Sequence, residues 1–307
     1  MTQRWVCLTG RQLPATEAVW LDGPIGKTRL IGEHVFNDYA QQHELRQIVE
    51  GERGLLPNFD ILAKGNSSIA NVSNEVRDFY EHTSEYDLDA WSEWCSAFRP
   101  FGGALGLIFS RRLQQLNVPL SPMDSAKGMT SSVISMQDAQ GQVLQTAWVR
   151  KLHATGNVLY AGMYSTCQPP RQSSRCVKVV FPLPNGNAIV VMKAVGHADG
   201  SLSVQSIGDG FGDAGFYFTV RGKDGSLHAR YVKTMKEEIR VYPAEHDTVR
   251  ADHTLWLWGK QFLRLHYRMK RRAPSAPPLS PQRHPTGLQE VSYGREVSGR
   301  PHTSQTG

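Results

Sequence analysis

The sequence lacks a long apolar run. Its longest strongly apolar stretch, residues 100–110, is about half of the roughly 20 residues that a membrane-spanning helix needs. Residues 1–7 also lack the apolar core of about 7 to 15 residues that a secretory signal carries. These two absences predict a soluble protein with no transmembrane segment.

Cysteine is scarce, with four residues in a chain of 307. This number excludes a small disulfide-dense domain, and the absence of C-x-x-C and H-x-x-x-H spacings gives no support for a metal site. Cys167 and Cys176 flank a short polar segment and could lie within disulfide reach on a hairpin, but reduced thiols suit the compartment that the missing signal indicates. We therefore expect a cytoplasmic protein with no metal and no cofactor.

Nucleotide-binding and hydrolase motifs are missing or incomplete. Residues 210–215 match G-x-G-x-x-G, but the apolar run that follows them predicts a strand, where the dinucleotide motif requires a helix. Residues 23–28 end like a P-loop, yet Leu21 occupies the position of its first glycine. No G-x-S-x-G nucleophile motif is present.

The positive charge is concentrated at one end of the chain. The formal charge is +6 overall, but residues 260–307 carry +7, which leaves the remainder near neutral. No helix-turn-helix or zinc-finger signature accompanies this charge, so specific nucleic-acid binding is not expected. Residues 271–307 are basic and rich in Pro and Ser, which predicts a disordered tail. Docking of this tail on nucleic acid or an anionic membrane is one alternative function.

Residues 1–125 show helical patterns. Ser73 or Asn74 can cap a helix whose apolar face contains Val76, Phe79 and Tyr80. A second helix is predicted from Asp87 or Asp89 through residues 91–98, because Trp91, Trp94, Cys95 and Phe98 follow helical spacing. A third is predicted over residues 101–117. We expect this helical region to pack on the domain that follows.

Residues 126–270 form a series of strand signals separated by turn signals such as Asn185-Gly186 and Asp224-Gly225. The connections are too short for parallel crossovers. We therefore predict an α+β fold: a large antiparallel meander of about ten strands that forms a complete or partly open barrel, preceded by the helical region. The predicted strands are 132–137, 142–152, 158–166, 176–182, 188–195, 201–207, 215–221, 226–242, 248–258 and 261–269.

The last strand gives the leading functional hypothesis. Arg264, His266 and Arg268 alternate along it with apolar residues. If these cationic side chains point inward, they line a cavity that would bind a small apolar or amphiphilic ligand, including an anionic one. The alternative is a solvated outer face, on which basic residues deter sheet aggregation. The candidate ligand-binding residues are Arg264, His266, Arg268, Trp256 and Trp258.

A second hypothesis is an enzyme, such as a cyclase, isomerase or hydrolase, that uses the same cavity. His246 and His253 bracket Asp247 and Asp252, which could form an acid–base or metal cluster. A solvated hairpin end is the alternative interpretation of this segment. The sequence leaves the oligomeric state open.

Overall fold

The computed structural model describes residues 2–26, 34–95, 129–153, 156, 158–222 and 224–272. Its framework is a sheet of fourteen strands whose pairings are all antiparallel. The strands are β1 (Arg11–Leu13), β2 (Arg46–Ile48), β3 (Tyr86–Trp94), β4 (Met129–Gln137), β5 (Val143–Leu152), β6 (Val158–Cys167), β7 (Cys176–Leu183), β8 (Gly186–Gly196), β9 (Leu202–Gln205), β10 (Gly215–Arg221), β11 (Leu227–Tyr231), β12 (Met235–Pro243), β13 (Thr248–Leu257) and β14 (Lys260–Arg271).

The described α-helices are short and precede the long strands. They are α1 (Thr2–Thr9), α2 (His34–Gln42) and α3 (Asn74–Glu81), accompanied by 3-10 turns at Val19–Leu21, Phe59–Leu62, Ser67–Asn71 and Thr83–Glu85. The prediction of α3 is confirmed: the Ser73 side chain accepts a hydrogen bond from the Val76 amide, and Val76, Phe79 and Tyr80 are buried. The helical region is confirmed only in part, because it also contributes three strands.

The helix predicted around Trp91 and Trp94 is wrong, because residues 86–94 form β3. Tyr86, Leu88 and Ala90 alternate with polar residues, which is the period of a strand rather than of a helix. All nine residues of β3 pair with β14, and this pairing overrides the helical spacing of the two tryptophans. The predicted third helix, residues 101–117, lies outside the described residues.

Most predicted strands are present, but one predicted strand is divided into two in the structure. Residues 226–242 form two strands, β11 and β12, rather than one. The break at residues 232–234 lets β11 pair with β10 and β1, whereas β12 pairs with β9 and β13. The strand that was expected after the G-x-G-x-x-G motif is β10, which confirms that this motif is not followed by a helix.

The sheet is open and branched rather than a complete barrel. The main path runs β2-β4-β5-β6-β7-β8-β9-β12-β13-β14-β3, and its two terminal strands, β2 and β3, are not hydrogen-bonded to each other. β8 is long enough to pair along one edge with two partners: its first half pairs with β10 and its last four residues pair with β9. This branch places β10, β11 and β1 beside the main path.

The central strands are covered on both faces, as expected for strands that are apolar on both sides. In β8, Val190 and Met192 belong to one buried cluster, whereas Ile189 and Val191 belong to a second cluster on the opposite face. The second cluster includes Trp20 and side chains of α2, so the N-terminal segments cover that face. The first cluster contains the apolar side of α3 and surrounds the candidate site.

Two residues that were assigned to the tail are anchored in the fold. β14 continues to Arg271, whose Nη2 lies 2.7 Å from a carboxylate oxygen of Glu85 and whose Nη1 lies 3.5 Å from Asp78 Oδ2. Arg272 lies 3.8 Å from Asp87. The rest of the predicted tail, residues 273–307, lies outside the described residues.

Candidate functional site

The inner face of the sheet contains an apolar cavity of about 210 Å³. Its walls come from β3, β5–β10 and β12–β14, and Leu55 with Phe79 and Tyr80 of α3 completes the lining. The volume is below the roughly 300–1,000 Å³ of pockets that bind drug-sized ligands. The cavity therefore fits a small or slender apolar body.

Arg150 of β5 introduces a positive charge into this apolar lining. Arg150 is 8% exposed. Its guanidinium carbon lies 3.7 Å from the centroid of the Trp148 ring and 4.7 Å from the centroid of the Tyr160 ring. Its Nε has no hydrogen-bond partner, and no carboxylate of the described residues pairs with it within 4 Å. Aromatic faces offset part of the cost of burying a cation, but an anion would offset more.

Three tyrosine hydroxyl groups lie near Arg150. The Tyr160 and Tyr164 hydroxyl oxygens are 2.7 Å apart, and the hydroxyl of Tyr267 hydrogen-bonds with the Arg150 side chain. Burial raises the pKa of Tyr164 to about 12 and raises the pKa values of Tyr160 and Tyr267 as well. These groups therefore stay neutral at ordinary pH. One hydroxyl proton is used between Tyr160 and Tyr164, which leaves the other proton of this pair for a bound anion.

A second polar pair lies in the same lining. Glu237 of β12 and His253 of β13 are both largely buried, and His253 Nε2 lies 3.0 Å from a carboxylate oxygen of Glu237. The His253 ring stacks near Tyr267, with centroids 6.3 Å apart. An imidazole held by a carboxylate in a mainly apolar cavity is an arrangement that can accept and return a proton.

The acid–base cluster proposed from the sequence is divided by the sheet. His253 points into the cavity, whereas Asp252 points to the opposite face and contacts His266 Nδ1 at 2.6 Å. His246 lies in the turn before β13. Alternation along β13 therefore separates neighbours in sequence, and Glu237, the actual partner of His253, comes from the adjacent strand.

The cationic row on β14 does not line the apolar cavity, which corrects the sequence-based placement. Arg264 and Arg268 are exposed and His266 is half-buried on the outer face, whereas Leu263, Leu265, Tyr267 and Met269 point inward. The physical reason is that burying the guanidinium groups of Arg264 and Arg268 costs free energy, whereas burying the apolar residues that alternate with them is favourable. Trp256 is half-buried outside the lining, and Trp258 is 71% exposed.

The outer face forms a polar groove instead. Arg240, Arg264 and His266 line it together with Glu238 and Asp252. Arg240 pairs with Asp199 at 2.5 Å, and His266 Nδ1 lies 2.6 Å from a carboxylate oxygen of Asp252. The Trp91 ring also stacks on His266, with centroids 5.4 Å apart. These contacts are typical of a solvated sheet face.

Sequence reasoning missed Arg150 as the cationic residue of the cavity. A weak signal was present, because Trp148 and Arg150 are two residues apart and so share one face of a strand. Tyr160 and Tyr164 share a face of the next strand in the same way. However, Arg150 lies near the end of β5 beside Lys151, where basic residues are ordinarily exposed.

The potential metal and redox groups of the described residues lie outside the cavity lining. Asp78 and Glu81 of α3 and His82, which follows the helix, place ligand atoms within 4.8 Å of one another, but Glu81 already accepts a hydrogen bond from the Phe59 amide. Cys167 and Cys176 are free, buried and directly opposite each other in β6 and β7. Burial raises the pKa of Cys167 to about 11 and that of Cys176 to about 12, so both favour the unreactive thiol.

The fold and the site thus define an open, branched antiparallel sheet with an apolar internal cavity that contains one buried arginine. The chain is similar to YndJ, an uncharacterised membrane protein of Bacillus subtilis (strain 168), with 25% identity over 248 residues. The similarity covers 78% of this chain and 41% of the relative, so the chain spans about two fifths of that protein's length. No protein-family model matches the chain, and no solved structure matches it.

This relative overturns the expectation of a cytoplasmic protein, because the relative is named as a membrane protein. The expectation rested on the missing signal, the few cysteines and the short apolar runs, and none of these reports on attachment to a membrane. Of the described helices, none has the length and apolar character that crossing a bilayer requires.

Proposed function

We propose that the cavity binds a small amphiphile with an apolar body and an anionic head group, and that Arg150 pairs with the head group. The observation that carries this proposal is a buried guanidinium whose Nε has no partner, in a mainly apolar lining whose one carboxylate, Glu237, is paired with His253. A carboxylate, sulfonate or phosphate would supply the missing acceptor through charge-assisted hydrogen bonds. The hydroxyls of Tyr160 and Tyr164 would complete the head-group site.

The relative's name supports a setting at a membrane, and we propose the same setting for this chain. Amphiphiles concentrate in membranes, so a cavity for such a molecule is consistent with this setting. The apolar body would lie among the valine, leucine and methionine side chains of the lining, where the transfer of apolar surface from water drives binding.

Native mass spectrometry of the full chain tests this proposal. The expected result is a bound molecule of low mass that Arg150→Met loses and the matched control Arg264→Met keeps, because Arg264 is exposed on the outer face. Methionine preserves most of the apolar contacts of the arginine stem while removing its charge. Equal retention of the molecule by both variants would contradict the assignment of Arg150.

Catalysis is a second candidate, favoured specifically by the contact between Glu237 and His253 inside the cavity. We propose ester hydrolysis as the reaction to test. His253 accepts a proton from water while the water oxygen attacks the ester carbonyl carbon. The bond between this carbon and the alcohol oxygen then breaks, and the imidazolium returns the proton to the leaving oxygen, which gives a carboxylic acid and an alcohol. Glu237 would orient the imidazole and stabilise its charged form.

Release of nitrophenolate from short-chain nitrophenyl esters measures this activity. We expect turnover that His253→Gln and Glu237→Gln each reduce by at least about a hundredfold, as is usual for a general base. Arg264→Met should leave turnover unchanged. A rate equal to that of buffer, or equal rates in all variants, would exclude this candidate.

A further inference from the structure

One end of the sheet exposes Trp258, Lys233 and Lys260 on two adjacent turns, and Trp256 and Lys236 lie half-buried on the strands beside them. The turn between β13 and β14 contains Trp258, which is 71% exposed, and Lys260 follows it. The Trp258 amide donates a hydrogen bond of 2.8 Å to the Thr234 carbonyl, which joins this turn to the one before β12. We call residues 232–236 and 256–262 together the tryptophan tip.

The backbone conformation at Trp258 is unfavourable for a bulky side chain. Trp258 and Gly259 have φ values of 50° and 75°, as in a two-residue hairpin turn with both central residues in the left-handed region. Asn and Gly suit the first of these positions, and a bulky residue there is an outlier. The chain therefore presents an indole to solvent at a position where Asn would fit the fold better.

The charges of the tip all have one sign. Lys233 and Lys260 are exposed, and Lys236 pairs in register with Trp256 on the neighbouring strand. Residues 232–236 and 256–262 contain no aspartate or glutamate. This combination contrasts with the outer sheet face, where Asp199 pairs with Arg240 and Asp252 contacts His266.

We propose that the tryptophan tip inserts into the head-group layer of an anionic phospholipid bilayer. Indole rings favour the membrane–water interface, and lysines beside them attract anionic lipid. The tip consists of two tight turns rather than a broad apolar face, so it suits shallow insertion into lipid better than burial against a second protein.

Insertion would direct the near end of the cavity toward the bilayer. Met235, Leu255 and Leu263 line the cavity and lie on the strands that end at the tip. α3 and its neighbours fill the other end, near Val241 and Ala251. The docking surface is independent of the ligand proposed above, because it uses none of the polar residues of the cavity.

Vesicle flotation with the full chain tests the proposal. The vesicles contain phosphatidylcholine alone or phosphatidylcholine and phosphatidylglycerol in equal parts. We expect binding to the mixed vesicles, a loss of at least about fivefold in Trp258→Asn, and a loss of about twentyfold or more in the double variant Lys233→Gln, Lys260→Gln. The matched control is Trp91→Thr, which removes an exposed tryptophan from the outer face of β3 and should bind as the parent chain does.

Two further measurements make the test decisive. Trp258→Asn should melt at the same temperature as the parent chain or higher, because Asn suits the turn. It should also bind decanoate, a fatty-acid anion that serves as the probe for the cavity, as the parent chain does. Undiminished vesicle binding by Trp258→Asn, or no binding by the parent chain, would overturn the proposal. A parent chain that is dimeric in solution, with Trp258→Asn monomeric, would also overturn it and would identify a second copy as the occupant.

Discussion

At the scale of single residues, the ligand preference that we propose for the cavity rests on Arg150. Trp148, Tyr160 and Tyr267 surround its guanidinium at 3.7 to 5.4 Å, and no described carboxylate neutralises it. Sequence reasoning predicted a cation in an apolar aromatic cavity and placed it on β14. Strict alternation identifies two faces of a strand but does not say which face is inside, so it could not distinguish Arg264 from Tyr267.

The buried tyrosines predict an alkaline loss of stability. Burial raises the folded-state pKa of Tyr164 to about 12, whereas an unfolded tyrosine ionises near pH 10. Between these values the unfolded chain binds fewer protons than the folded chain, so the free energy of unfolding falls as pH rises. The contribution is complete below pH 10 and is lost as pH rises toward 12.

The variant Tyr164→Phe isolates this contribution. Urea unfolding at a series of alkaline pH values should show a slope that is shallower by about 1.4 kcal/mol per pH unit than in the parent chain. The control is the range from about pH 7 to 9, in which Tyr164 is protonated in both the folded and the unfolded chain, so the slopes of the two chains should agree there. Slopes that also stay parallel above about pH 10 would contradict the assigned pKa.

At the scale of elements, short-range patterns identified most strands and one helix. The turns at Asn185-Gly186 and Asp224-Gly225 separate strands as predicted, and Ser73 caps α3. β3 was missed because its two tryptophans fit a helical spacing, while its partner β14 lies more than 160 residues away. Pairing over such a distance is invisible to a local window.

The close pairing of β8 with β10 predicts that replacing Gly186 costs much more stability than replacing Gly141. A Cβ at Gly186, the first residue of β8, would lie 2.0 Å from the Thr219 carbonyl oxygen of the paired strand β10. Gly186→Ala should therefore lower the free energy of unfolding by about 3 kcal/mol or more, since backbone must move on both strands. Urea denaturation measures this loss.

Gly141→Ala provides the matched comparison. Gly141 has a φ of 81° in a turn, and nothing lies within 4 Å of an added Cβ. Gly141→Ala should lower the free energy of unfolding by only about 1 kcal/mol, because alanine is unfavourable at this backbone conformation but meets no neighbouring atom. Equal losses in the two variants would show that β8 and β10 are not packed as closely as described.

At the scale of the whole molecule, the central strands of the sheet are paired on both edges and buried, whereas the terminal strand β2 is short and partly exposed. β8 is bonded to β7 on one edge and to β9 and β10 on the other, whereas β2 is a three-residue terminal strand with exposed or half-buried side chains. The sequence predicted an antiparallel meander of about ten strands, complete or partly open, but not β1, β2 and β3 or the branch. The branch depends on how far β8 extends past each partner.

Native-state hydrogen exchange should follow this arrangement. We expect the amides of Val190 and Val191 in β8 to exchange only through global unfolding, because both faces of the strand are buried and both edges are paired. Amides of β2, Arg46–Ile48, should exchange through local opening at much lower free energy. Equal protection in β2 and β8 would contradict the proposed centre of the fold.

Calorimetric titration with decanoate and with decanol tests the central claim, that Arg150 selects an anionic amphiphile. The account predicts that the parent chain binds decanoate more tightly than decanol and that Arg150→Met weakens decanoate binding by at least about tenfold while leaving decanol binding unchanged. Arg150→Met should melt no lower than the parent chain, since it removes a buried unpaired charge. Equal affinity of the two ligands for the parent chain, or undiminished decanoate binding by Arg150→Met, would contradict it.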